Sequence, residues 1–124
     1  MSKIVIIEDE EQLQKILQAK LQKLSHEVII FDNGPQSLEY IGENQPDLVL
    51  LDAILPGGLD GFAILENLKT SESTQQIPVF ILTNLGAEEQ LHKMAKAEDI
   101  AIKANVTIDE VMERIKNLLS KNNN

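Results

Sequence analysis

Asp47-Leu48-Val49-Leu50-Leu51-Asp52 is an apolar run framed by acids, and Pro56-Gly57-Gly58 follows shortly after it, where a longer strand would have to continue. A short apolar run bounded by turn residues reads as a strand buried on both faces. Asp52 then stands at the C-terminal mouth of that strand, the place where open α/β sheets carry their chemistry. Lys3-Ile4-Val5-Ile6-Ile7 is a second run of this kind, and it ends on Glu8 and Asp9. Two strands thereby deliver three acids to one crevice. Carboxylates so close repel one another unless a cation joins them.

Outward from these runs, strand and helix spacing alternate. Helical spacing covers 10 to 24 and places Leu13, Ile16, Leu17, Leu21 and Leu24 on one face. Val28-Ile29-Ile30-Phe31 is the next strand, and Asp32-Asn33-Gly34-Pro35 opens a helix whose inward residues are Leu38 and Ile41. A helix over about 61 to 69, capped by Asp60, turns Phe62, Leu65 and Leu68 inward. Pro78-Val79-Phe80-Ile81-Leu82 is a fourth strand ending at Thr83. The spacing predicts a helix over 87 to 97 with little besides Leu91 and Met94 to bury. A fifth strand, 99 to 102, ends at Lys103. Thr107-Ile108-Asp109-Glu110 then opens the last helix as a capping box, with Val106 and Val111 as its hydrophobic staple. Strands and helices in alternation predict an α/β fold, a doubly wound five-stranded parallel sheet with helices on both faces.

The 124 residues fit one domain, assigned to 1–120, and Lys121-Asn122-Asn123-Asn124 reads as a polar tail that frays. No apolar stretch approaches the roughly 18 residues of a membrane span. Met1-Ser2-Lys3 leads straight into a strand, so a cytoplasmic protein without membrane contact is expected. Cysteine is absent, which removes disulfides and thiolate metal sites. Eleven basic residues against 20 acidic ones give a formal net charge of −9, the wrong sign for direct nucleic-acid binding.

The C-terminal strand ends collect Glu8 and Asp9, Asp52, Thr83 and Lys103 along one edge of the sheet. Acids of this kind suit Mg²⁺, a hard cation that takes oxygen ligands, while a hydroxyl and an ammonium suit an incoming phosphoryl group. Read singly, Asp52 is a turn cap, Glu8 and Asp9 are first-turn acids favoured by the helix dipole, as are Glu10 and Glu11, and Lys103 is a surface lysine. Only their common register raises them above that. His26 and His92 read as solvated residues without a role, and Gly57-Gly58 lacks the pattern of a nucleotide-binding loop.

In order along the chain, Ile7-Glu8-Asp9, Leu51-Asp52, Leu55-Pro56-Gly57, Asp60-Gly61, Leu82-Thr83 and Lys103 resemble the receiver (CheY-like) domain of two-component response regulators. The resemblance covers essentially the whole chain and implies a flavodoxin-like sheet of order 2-1-3-4-5. It implies further that Asp52 accepts phosphate from the phosphohistidine of a sensor histidine kinase or phosphotransfer protein. Mg²⁺ would be held by Asp9, Asp52 and the carbonyl of Ile54, with Glu8 acting through a metal-bound water. Thr83 and Lys103 would each take a phosphate oxygen. The expected function is that of a stand-alone signalling module rather than an enzyme, read out by an effector protein, as a monomer or a phosphorylation-dependent dimer.

The chain departs from the family at four places. Ala104 follows Lys103 where proline is usual, Ile100 stands where Tyr or Phe is usual, Asn84 replaces a small residue, and Gly58 is one extra loop residue. These departures favour an alternative, a degenerate receiver that binds protein partners without phosphate. A Mg²⁺-dependent phosphohydrolase ranks last, because such enzymes need a second acid where Ile54 stands. Ile54 and Leu85, apolar where water-positioning groups often lie, predict slow loss of phosphate from Asp52.

Overall fold

The computed structural model describes residues 1–55, 60–84 and 92–122. Its strands are β1 (Lys3–Ile7), β2 (Glu27–Phe31), β3 (Leu48–Leu51), β4 (Val79–Thr83) and β5 (Asp99–Ile102). All pair in parallel, in the order β2-β1-β3-β4-β5. The helices are α1 (Glu11–Lys23), α2 (Gly34–Asn44), α3 (Gly61–Thr70) and α4 (Ile108–Asn122).

Side-chain alternation explains why the three central strands are almost wholly apolar. Ile4, Ile6, Leu48, Leu50, Phe80 and Leu82 share one core with Leu17 and Leu21 of α1 and Val111 and Ile115 of α4. Val5, Ile7, Val49, Leu51, Val79 and Ile81 share the other with Ile41 of α2 and Ile64, Leu65 and Leu68 of α3. Without either layer, one whole apolar face of the sheet would be left in water. Both helix layers are therefore needed to hold the sheet, and the strand ends between them stay fixed.

Local signals set the helix starts. Asn33 accepts from the Gln36 N–H at 3.2 Å, Asp60 from the Ala63 N–H at 3.0 Å, and Thr107 from the Glu110 N–H at 3.1 Å. The Glu110 carboxylate closes the capping box through the Thr107 hydroxyl, at 3.2 Å. At the opposite end of the sheet, Lys69 Nζ donates to the Ile77 carbonyl at 2.8 Å and pairs with Glu98 at 2.7 Å. Glu98 also accepts from the Val79 N–H at 2.6 Å, tying α3 to the starts of β4 and β5.

Three expectations change. Ile16 is 45% exposed and Leu24 58%, because the inward stripe of α1 runs Leu13, Leu17, Leu21 at i, i+4 spacing. Ile16 lies a third of a turn off that stripe, and Leu24 lies past the helix end. The helix predicted over 87 to 97 falls partly outside the described residues. Within them, His92–Met94 forms one 3₁₀ turn and the chain then turns into β5, so no helix reaches 97. Among the described residues of the segment, Met94 is buried with Ala97 packed against the same core, and the Ala97 N–H donates to the Met94 carbonyl three residues back at 3.0 Å, which closes a turn rather than continuing a helix. At the C-terminus, Lys121 and Asn122 belong to α4 instead of a frayed tail.

Candidate functional site

β1 and β3 pair with Ile7 opposite Leu51, so Glu8 and Asp52 leave the sheet side by side. The ladder runs one residue further on each: the Glu8 N–H donates to the Phe31 carbonyl and the Asp52 N–H to the Ile7 carbonyl, both at 3.0 Å. Those bonds fix both acids at the backbone. Glu8 is 3% exposed and Asp52 7%, whereas Asp9 faces solvent. Oxygens of all three lie within 4.8 Å of one another.

Lys103 closes the group from the end of β5. Its Nζ lies 2.7 Å from Glu8 Oε1, 2.9 Å from Asp52 Oδ2 and 3.8 Å from Glu10 Oε2. The other oxygen of each buried acid is held by main chain: Asp52 Oδ1 accepts from the Ile54 N–H at 3.0 Å, and Glu8 Oε2 from the Glu10 N–H at 2.9 Å. Gln14 adds a bond from Nε2 to the Glu8 carbonyl. Asp52 is thus a turn cap through one oxygen and an ion-pair partner through the other.

Burial pushes the Glu8 carboxyl above its ordinary value, and the Asp52 charge adds to this, against the opposing pull of Lys103 and the Glu10 N–H. Burial alone would lower the Lys103 ammonium. Its bonds to Glu8 and Asp52, with their charges, outweigh that and raise it.

Thr83 is fully buried at the end of β4, opposite Ile102, so Lys103 follows one residue beyond that level. Ile54 is 53% exposed beside the site. The Lys103–Ala104 peptide is trans, and Lys103–Asn105 makes a 3₁₀ turn that still aims the ammonium at the acids. Ile100 is half-buried against the core on the α3 side. The turn Pro56–Gly58, Leu85 and the His92 side chain lie outside the described residues. His26 is half-buried, not solvated, and its Nδ1 accepts from the Ser2 N–H at 3.2 Å.

The family profile described as the response regulator receiver domain matches residues 4–116. The chain belongs to the receiver domain family. This receiver is 36% identical over 123 residues to the transcriptional regulatory protein YkoG of Bacillus subtilis strain 168, covering 96% of the chain and 51% of YkoG. The chain therefore spans about half the length of that relative. The BeF3-activated receiver domain of Klebsiella pneumoniae RstA superposes with a TM-score of 0.83 at 29% identity, covering 94% of this chain and 97% of that one. The Mn(2+)-bound form of response regulator Rcp1 gives a TM-score of 0.77 at 26% identity, covering 88% and 86%. The receiver fold and sheet order expected from the sequence are those observed.

Three carboxylates from two strand ends give this receiver an all-oxygen donor set, the kind a hard divalent cation takes. The donor chemistry fits Mg²⁺. Two residues were named in the sequence without a role at the site. Gly61 packs on the main chain after Asp52, and the pair Asp60-Gly61 was the signal that could have found it. Glu10 reads locally as a dipole acid, and nothing in its spacing announces its contact with Lys103. Among the described residues no helix is long and apolar enough to cross a membrane.

Proposed function

We propose that this receiver is a cytoplasmic protein that takes a phosphoryl group onto Asp52 from a phosphohistidine of a sensor histidine kinase or phosphotransfer protein, and passes the signal on through protein contacts. The observation that carries the reading is the shared ion pair: Lys103 spans Glu8 and Asp52 within 2.9 Å, beside Asp9. In the transfer, the donor's phosphorus–nitrogen bond breaks as a carboxylate oxygen of Asp52 bonds phosphorus. The departing imidazole takes its proton from solvent. Asp52 is held for this by the Ile54 N–H, which fixes its orientation.

Glu8, Asp9, Asp52 and the Ile54 carbonyl are the groups that would hold Mg²⁺, which supplies positive charge against the phosphoryl oxygens. Lys103 offsets the charge gained on transfer, and Thr83 takes a second phosphate oxygen from the end of β4. Support comes from two similar proteins, one BeF3-activated and one Mn(2+)-bound. Phosphate draws Thr83 and the segment after it inward and changes the surface leading to β5 and α4.

Replacing Asp52 with Asn tests the assignment. Labelling by acetyl phosphate in Mg²⁺ should vanish while the fold stays intact, and persistent labelling would refute it. Beryllofluoride with Mg²⁺ should perturb the amide resonances of residues 83 to 106. The phosphate-independent binding module is favoured by Ala104, Ile100 and Asn84. It requires the wild type to show no Mg²⁺ site dependent on Asp9 and Asp52.

A further inference from the structure

We propose that Glu10 is a positioning residue for Lys103, a second seat onto which the ammonium moves when a divalent cation takes Glu8 and Asp52. The inference rests on the Mg²⁺ reading of the acid trio and goes beyond it to a residue outside that trio. Glu10 occupies the N-cap position of α1, yet its side chain makes no capping bond. Asn33, Asp60 and Thr107 all cap their helices through their side chains. The Glu10 carboxylate instead stands 3.8 Å from Lys103 Nζ, while its own N–H holds Glu8 at 2.9 Å. One residue thus touches both halves of the Lys103–Glu8 pair.

The physical need follows from charge. A divalent cation sharing the oxygens of Glu8 and Asp52 cannot coexist with an ammonium 2.7 and 2.9 Å from the same oxygens without strong repulsion. Before phosphate arrives, the Lys103 ammonium would be pushed off the oxygens that the cation takes, and its side chain is only 15% exposed, so a displaced ammonium without a partner would be partly desolvated and uncompensated. Lys103 has a flexible stem. A groove of about 270 Å³, lined by Glu10, Leu13, Leu82, Asn84, Lys103 and Val106, gives it room to move along a wall that already carries Glu10. The Glu10 side chain is 58% exposed, hydrated and free of a capping duty, which suits an acceptor used in one state more than in the other.

A double-mutant cycle on Mg²⁺ affinity tests this. Wild type, Glu10→Gln, Lys103→Met and the double variant are titrated with Mg²⁺ at fixed ionic strength and followed by amide resonances. Lys103→Met should bind more tightly, because its competing cation is gone. Glu10→Gln should weaken binding by about two- to fivefold when Lys103 is present. In the Lys103→Met background Glu10→Gln should leave the affinity unchanged. The Lys103 ammonium resonance should shift on Mg²⁺ addition in the wild type and shift differently in Glu10→Gln. Equal weakening in both backgrounds would mean that Glu10 acts only through its charge and would overturn the proposal, as would an ammonium resonance indifferent to Glu10. A wild type that binds no Mg²⁺ would instead sink the metal reading beneath it.

Discussion

A methyl group at Gly61 would stand 2.3 Å from the carbonyl oxygen of Asp52. It would also lie 2.4 Å from Cα of Ala53, and the Gly61 N–H donates to the Ala53 carbonyl at 3.1 Å. The first turn of α3 is seated directly on the main chain that leaves the phosphorylation candidate. Both close neighbours are backbone, so neither can yield by a rotamer change.

Gly61→Ala should therefore destabilise the fold by about 1–3 kcal/mol and displace the main chain at Asp52. Urea unfolding gives the first quantity, and the rate of acetyl phosphate labelling reports the second. Wild-type stability together with wild-type labelling would show that the contact relaxes without consequence.

The raised pKa of Glu8 predicts a stability cost for its ionisation. Below 4.5 the carboxyl is protonated in folded and unfolded chains alike, and it costs nothing. As pH rises from there through the raised folded value, the unfolded chain ionises first and stability drains away. With divalent ions chelated, Glu8→Gln should gain on wild type in urea midpoint across this range. Added Mg²⁺ should shrink the gap. Parallel pH profiles would contradict the prediction. Lys103 runs oppositely: while its partner acids are ionised, the stability tied to its proton is fully present up to 10.5 and is lost as pH climbs through its raised value.

Lys69 is a structural cation far from the acids. Its side chain is 7% exposed, bonded to the Gln75 and Ile77 carbonyls and paired with Glu98. Lys69→Met removes donors from two carbonyls and a carboxylate, and should cost about 2 kcal/mol in urea unfolding. Mg²⁺ affinity should be unchanged. A change in affinity would reveal that this end of the sheet reaches the site.

Phosphate on Asp52 should be lost slowly. Ile54, two residues on, has its N–H committed to Asp52 Oδ1 and offers an exposed aliphatic side chain where a polar one could orient an attacking water. The decay of radiolabelled phosphoprotein in Mg²⁺ is the measurement, and a half-life of only seconds would count against the idea.

The sheet was legible because parallel strands covered on both faces must be apolar in their interiors, and the runs Ile4–Ile7, Leu48–Leu51 and Val79–Leu82 are so. Caps at Asp60 and Thr107 were legible for a similar reason, since each satisfies an N–H within three residues. Ile16 was misread because several apolar residues on one helix fit more than one stripe, and only docking on the sheet chooses Leu17 and Leu21. The described part of the segment 87 to 97 was misread because a spacing pattern does not show that the chain must turn after Met94 to enter β5.

Chain order, strand type and the delivery of acids to strand ends follow from local periodicity, because each depends on neighbours a few residues away. Burial of Glu8 beside an exposed Asp9, the seat of Gly61 and the division of Lys103 among Glu8, Asp52 and Glu10 do not. Those depend on strand register and helix docking between residues far apart in the chain, Lys103 standing 51 positions from Asp52 and further still from Glu8, where a shift of one place turns a side chain to the other face.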